Sequence, residues 1–192
     1  RLKRPRPHLD DKIITAWNGM MISALSNASQ LMNKKQYISA ASKAAEFLEK
    51  NLLNKKTATL KRSMRANKVS VDSGLSDYVW YIRGLIDLYV ATENKHWLSL
   101  AIVLQKKQDE LFYDKSSAAY FDFGTSDSSL LFRSKSVYDG ALPAVNAIAI
   151  QNLFELSTLT KNTGWKLKAE QSLKYFSSAV NQNPLACASL LA

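Results

Sequence analysis

Hydrophobic and polar positions follow two rhythms along this chain. In the first, apolar side chains return at three- and four-residue steps. Tyr37, Ala40, Ala41, Ala44, Phe47, Leu48 and Leu52 share one face, while Ser39, Lys43, Glu46 and Lys50 take the other. Trp165, Ala169, Leu173, Phe176 and Val180 repeat the stripe against Lys166, Lys168, Glu170 and Lys174. Both segments predict helices with one face in water. In the second rhythm almost no polar face remains. Leu75, Tyr78, Val79, Trp80, Tyr81, Ile82, Leu85, Ile86, Leu88, Tyr89 and Val90 crowd one segment; Ala147, Ile148, Ala149 and Ile150, with Leu153, Phe154 and Leu156, crowd another. A helix apolar on every side has to be covered on every side.

The turns joining these segments repeat. Residues 31–37, 89–97 and 159–165 each carry an apolar helix end, a polar turn rich in Lys and Asn, and one aromatic opening a second helix. The aromatics Tyr37, Trp97 and Trp165 stand 60 and 68 residues apart. A period that long predicts stacked helix pairs, which curve around a concave surface. The first helix of each pair then belongs to an inner ring and the second to an outer ring. The expected fold is all-α, a partial (α/α)6 toroid of three helical hairpins over 1–180, with 181–192 as a C-terminal tail.

Two connections between pairs, 54–74 and 113–140, exceed the ~12–15 residues beyond which loops are usually functional or disordered. The second holds strand-like alternations at Tyr120-Phe121-Asp122-Phe123-Gly124 and Leu130-Leu131-Phe132-Arg133, separated by the turn-rich 125–129, and so predicts a small β-hairpin. Each connection delivers the chain to the N-terminal end of an inner helix. That end of the ring is where a site is expected.

Composition narrows the class. The chain has 192 residues, 46% hydrophobic and 22% charged, as expected of a soluble globular domain. The longest apolar stretch, 141–159, is interrupted by Asn146, Gln151, Asn152 and Glu155, whereas a membrane span needs ~20 mostly apolar residues. No membrane partner is expected. The single cysteine, Cys187, forbids an internal disulfide and suits a reducing compartment, the cytoplasm first and the mitochondrion second. A net charge of +10 raises nucleic acid as a partner. The basic residues fall in pairs such as Lys34-Lys35 and Lys106-Lys107, mixed with Glu46, Glu49, Asp109 and Glu110, without interleaved aromatics or a nucleic-acid module. No specific nucleic-acid partner is expected. The opening Arg1-Leu2-Lys3-Arg4, without a methionine, suggests a start inside something larger.

Three polar-aromatic clusters mark the inner helix starts: Asp10-Asp11-Lys12 with Trp17-Asn18-Gly19, then Asp77-Tyr78 with Trp80-Tyr81, then Tyr138-Asp139-Gly140 with Asn146. Carboxylates on facing walls of a pocket can serve as general acid and base; across a glycosidic bond ~5–5.5 Å favours retention and ~6.5–9.5 Å inversion. Asp11, Asp77 and Asp139 are therefore the catalytic candidates. Lys12, Trp17, Asn18, Tyr78, Tyr138 and Asn146 are the substrate-binding candidates, the rings offering apolar faces to a polyol and the amides polar partners. A structural reading stands beside each. Asp at a helix start also caps free N–H groups, Trp17 and Tyr78 also suit a core, and buried amides also brace a ring. His8 and His96, without Cys or Glu at ligand spacing, make no metal motif, and no phosphate loop is present, so no cofactor is expected.

The stretch Arg4-Pro5-Arg6-Pro7-His8-Leu9-Asp10-Asp11-Lys12-Ile13-Ile14-Thr15-Ala16-Trp17-Asn18-Gly19 resembles the signature of the spermatogenesis-associated protein 20 family. Ser76-Asp77-Tyr78 and Tyr138-Asp139-Gly140-Ala141-Leu142-Pro143 resemble its next blocks, in the same order. The resemblance implies a longer protein with an N-terminal thioredoxin-like domain, absent here, and a six-hairpin toroid similar to those of N-acylglucosamine 2-epimerase and six-hairpin glycosidases. About half of that toroid would lie in this chain, the missing hairpins of the parent protein being its partners. After Pro143 that family's pattern runs Ser, Gly, Asn; here Ala144 and Val145 replace the first two, and Asn146 remains. Three functions follow as expectations. The first is a carbohydrate-active protein of isomerase, epimerase or hydrolase type acting on a small sugar. The second is a non-catalytic scaffold for a thioredoxin-like redox domain. The third is an acidic-partner binder whose affinity falls steeply with salt. An open half-ring should also expose apolar faces and associate.

Overall fold

The computed structural model describes residues 4–5, 8–69, 71–124 and 132–191. Three helical hairpins dominate: α1 (Thr15–Met32) with α2 (Lys35–Asn51), α3 (Leu75–Thr92) with α4 (Lys95–Phe112), and α5 (Val145–Thr160) with α6 (Thr163–Gln182). The repeated turns have one conformation. Asn33, Glu93 and Lys161 each end an inner helix in the left-handed region, at φ 50°, 54° and 58°, a common way to close a helix. Asn94 and Asn162 then cap the outer helices, their side-chain oxygens accepting from the N–H groups of His96 (3.1 Å) and Gly164 (2.9 Å). Tyr37, Trp97 and Trp165 are each the third residue of an outer helix.

Inner helices pack side by side, with α3 between α1 and α5 and the outer helices behind them. The all-round apolar α3 is accordingly buried along most of its length, from Leu75 through Leu88. It approaches α1 backbone to backbone. A Cβ on Gly19 would stand 2.5 Å from the carbonyl of Trp80, and one on Gly84 would stand 2.7 Å from the Gly19 carbonyl oxygen. Lower on the same seam, the buried Asp87 accepts from Ser23 Oγ (2.5 Å), Asn27 Nδ2 (3.3 Å) and Arg83 Nε (3.1 Å).

The connections carry short ladders. In the first, β1 (Ile13–Ile14), β4 (Ser63–Arg65) and β5 (Lys68–Val69) form an antiparallel sheet, and β2 (Leu53–Asn54) pairs with β3 (Thr59–Leu60). The hydrophobic pattern predicts no strand there, because two-residue strands are too short for alternation to register. In the second, Tyr120 pairs with Tyr113 in β6 (Tyr113–Asp114) and β7 (Ala119–Tyr120), rather than with the segment after residue 129. The expected hairpin's turn lies outside the described residues. Its described flanks do meet, Arg133 Nε donating to the Phe123 carbonyl and the Asp122 N–H to the Ser134 carbonyl, both at 2.8 Å. A 3-10 turn (Pro184–Cys187) and α7 (Ala188–Leu191) end the chain, α7 packing against α5. Among the described residues no helix is long and apolar enough to cross a membrane.

Candidate functional site

A cleft of about 460 Å³ opens at the N-terminal ends of α3 and α5, the end of the ring to which both long connections lead. Its walls include Arg62 from the first connection, Leu75 and Ser76 from α3, Asp122 and Phe123 from the second connection, and Ser136, Tyr138, Leu142 and Val145 at the approach to α5. A second depression of about 390 Å³ shares Arg62, Gly74 and Phe123 with it.

Residue 122 is held from two sides. Its carbonyl accepts from the Leu75 N–H (3.1 Å), tying the second connection to the start of α3. Its carboxylate accepts from Ser134 Oγ (2.6 Å) and, at 3.5 Å, from the Ser136 N–H. Partial burial raises its pKa despite those two donors. Tyr138 stands 68% exposed at the cleft, and Phe123 is exposed beside it. The site therefore joins a carboxyl group of raised pKa, a guanidinium, hydroxyls and two aromatic rings.

The candidates expected from the sequence occupy different places, and Tyr138 is the one that lines this cleft. Asp77 is 1% exposed, and its two oxygens accept from the N–H groups of Ala16 and Gly74, both at 3.1 Å. It thereby closes the starts of α1 and α3 together, with α1 having no side-chain cap from its own Ile14. Burial pushes its pKa up to about 6, although both N–H donors and the nearby Arg62 charge pull it down. Asp139 accepts from the Ala144 and Ser189 N–H groups, both at 2.7 Å, and from Ser189 Oγ, so it fastens the start of α5 to the start of α7. Desolvation acts against ionisation there, but these three donors prevail and its pKa is lowered. Asp11 is exposed and bonded to Arg65 Nε at 2.5 Å, and Lys12 pairs with Asp10 at 3.2 Å.

The remaining binding candidates divide between core and surface. Tyr78, expected to face the ring, is instead core: it is buried, packs edge-on against Phe112, and accepts the Leu60 N–H at 3.0 Å. Asn146 is fully buried and brackets Tyr120, accepting its N–H and donating to its carbonyl at 3.1 Å each, with a further bond to the Ser136 carbonyl at 3.0 Å. Its amide has no capacity left over for a ligand hydroxyl beyond one lone pair. Asn18 donates to the Ile14 carbonyl at 2.9 Å. Trp17 is exposed on α1. Of the two imidazoles, His96 bonds Glu49 at 2.8 Å across the outer helices and His8 bonds Arg65 at 3.0 Å. Arg62 and Asp122 line the cleft without having been expected there. The one signal for Asp122 in the sequence is its position between Phe121 and Phe123, which also fits a strand. Among the described residues no group of three His, Cys, Asp or Glu is placed to hold a metal ion.

No protein-family model matches the chain. It is 34% identical, over 97% of its length, to a rat protein, and 32% identical over the same share to its human counterpart. The resemblance is to spermatogenesis-associated protein 20. The chain spans about a quarter of the length of these curated relatives. Among solved structures it matches cellobiose 2-epimerase of Bacillus thermoamylovorans with TM-score 0.73 at 15% identity, covering 89% of this chain and 46% of that one. A GH76 α-mannanase of Bacteroides thetaiotaomicron matches with TM-score 0.69 at 19% identity, covering 88% and 42%. An inactive α-1,6-mannanase variant of Salegentibacter, in complex with α-1,6-mannotriose, matches with TM-score 0.67 at 12% identity, covering 85% and 46%. The fold is thus part of a six-hairpin glycosidase-like toroid.

Proposed function

We propose that this chain contributes a carbohydrate site of isomerase, epimerase or hydrolase type, centred on the cleft between the starts of α3 and α5. The observation that carries the reading is that the exposed Tyr138 and the half-buried Asp122 line one cavity. An aromatic face suits the C–H face of a sugar ring, and Arg62, Ser76 and Ser136 offer donors to its hydroxyls. A carboxyl group with a raised pKa can hold a proton closer to neutral pH, as general acid catalysis requires. In this reading Asp122 takes the acid/base part, while Asp77 and Asp139 position the walls by fixing helix starts. Sugar chemistry in the matched epimerase and mannanases supports the class, by likeness of fold.

The test is calorimetric titration of the full-length protein with mannose, glucose, cellobiose and α-1,6-mannotriose, alongside Tyr138→Ala and Asp122→Asn. The expected result is binding of at least one sugar, weakened at least about tenfold by Tyr138→Ala, with turnover lost in Asp122→Asn. Absence of binding across the panel, or binding indifferent to both changes, ends this reading. A second reading, a binding scaffold without catalysis, is favoured by the engagement of Asp77 and Asp139 with backbone N–H groups. As a scaffold for a thioredoxin-like redox domain, it predicts no turnover of any sugar in the panel.

A further inference from the structure

Three basic residues of the first connection approach the cleft, and they differ in what holds their charge. Lys61 bonds Asp72 at 2.6 Å and Arg65 bonds Asp11 at 2.5 Å. Arg62 has no such partner: among the described residues no carboxylate or carbonyl meets its guanidinium. Its main chain is nevertheless fixed on both sides. The Arg62 N–H donates to the Val71 carbonyl at 3.1 Å, and its carbonyl accepts from the Thr15 N–H at 2.9 Å. The side chain lines both the 460 Å³ cleft and the 390 Å³ depression next to it. The carboxylate that feels its charge, Asp77, is buried with both oxygens taken by the Ala16 and Gly74 N–H groups. An anchored backbone under an unpaired cation suits recognition better than bracing.

The rest of the cleft leans the same way. The hydroxyls of Ser76 and Tyr138 have no partner among the described residues. Ser136 Oγ accepts the Tyr138 N–H at 3.3 Å, which leaves its own proton free to donate. Against these donors the cleft's described lining sets one carboxyl group, that of Asp122. It already accepts from Ser134 and Ser136, and burial shifts it toward its protonated form. The pocket is therefore positive, in a chain of net charge +10. A guanidinium fork matches the paired oxygens of a carboxylate or a phosphate.

We infer that the cleft takes an anionic sugar, a uronate or a sugar phosphate, with Arg62 gripping the charged group and Tyr138 backing the ring. This deepens the carbohydrate reading above and rests on it. It also orients the ligand, its charge toward the first connection and its ring toward the approach to α5. A nearby anion disfavours ionisation of a carboxyl group. The ligand that Arg62 selects would thus help to keep Asp122 protonated, in the state a general acid needs.

Matched ligand pairs test this by titration calorimetry of the full-length protein: mannose against mannose 6-phosphate, and glucose against glucuronate. Inorganic phosphate alone is the third arm. The expected result is that the charged member of at least one pair binds at least about tenfold more tightly than its neutral partner. Arg62→Gln should cut that preference to below about threefold. Arg62→Lys, which keeps the charge without the fork, should give an intermediate preference. Equal affinities within both pairs, or a preference that survives Arg62→Gln, overturn the inference; a neutral sugar whose binding still depends on Tyr138 then leaves the carbohydrate reading standing. Inorganic phosphate bound as tightly as mannose 6-phosphate overturns it too, because the site would then recognise an anion and no sugar. Silence from every sugar, charged or neutral, ends the carbohydrate reading and this inference with it.

Discussion

Gly19→Ala sets two physical effects of opposite sign against each other, and the structure says which wins. Alanine is about 1 kcal/mol more favourable than glycine inside a helix. Gly19 lies within α1, so propensity alone predicts a more stable chain. The added methyl, however, would stand 2.5 Å from the carbonyl carbon and oxygen of Trp80 and 2.7 Å from the Tyr81 nitrogen. These are backbone atoms of α3, which is buried on its other sides and cannot retreat alone. Ordinary contact begins near 3.4 Å, so α1 and α3 would have to part by nearly 1 Å. A gap of that size forfeits a quarter to a half of the dispersion energy across the seam, and overpacking typically costs about 1–3 kcal/mol. It would also stretch the bonds from Ser23 and Asn27 to Asp87. The net expectation is a loss of about 2 kcal/mol, or roughly 4–8 °C in Tm for a chain of this size. Gly140→Ala is the control, because its nearest new contact is Tyr138 Cε1 at 3.8 Å. Thermal melts followed by circular dichroism decide the matter. A Gly19→Ala chain melting at or above its parent would show that the helices do not approach as described.

Further outcomes follow from the site and its braces. Asp77 has a folded pKa of about 6 against 3.8 when unfolded, so the native state binds more protons in that window. Stability therefore falls as pH rises from about 4 to 6, by roughly 3 kcal/mol from this group. Urea melts of parent and Asp77→Asn at pH 4.5 and 7 should show the parent gaining more on acidification; equal responses refute the assignment. Asp139 has the opposite sign, its pKa being lowered, so its contribution is present above the ordinary carboxylate range and lost as pH falls. Asp139→Ala should loosen α7 first, read as faster amide exchange at Ser189 without a matching change in α1. Asn146→Ala removes three hydrogen bonds and leaves the backbone groups of Tyr120 unpaired, an expected loss of about 2–4 kcal/mol in chemical melts. Tyr138→Ala should leave stability within about 0.5 kcal/mol, since the ring is mostly in water. A large drop in Tm would make Tyr138 structural and weaken the proposed site.

The helices were legible because each announces itself locally. Period, turn and aromatic anchor all lie within one hairpin, and they place the ring before any coordinate is known. The acidic corners were legible only halfway. Aspartate at a helix start signals a cap or a catalyst equally, and the deciding partner of Asp77, the Ala16 N–H, is 61 residues away. Asn146 reaches 26 residues back to Tyr120, and Tyr78 is taken from the ring by Leu60. Asp122 stayed hidden for a related reason. Its alternating neighbours read as strand, and only the fold at the start of α3 brings it into one cleft with Tyr138.

The clamp from Asp77 to α1 also bears on how the polypeptide is made. Helix α1 begins without a cap of its own, so during synthesis its first turn stays open until Asp77 leaves the ribosome. Closing that turn couples residues far apart in sequence, the kind of contact that forms late. The hairpin of α1 and α2 would thus wait, half-fastened, for the one behind it. Such a nascent chain has reason to need a chaperone in the interval.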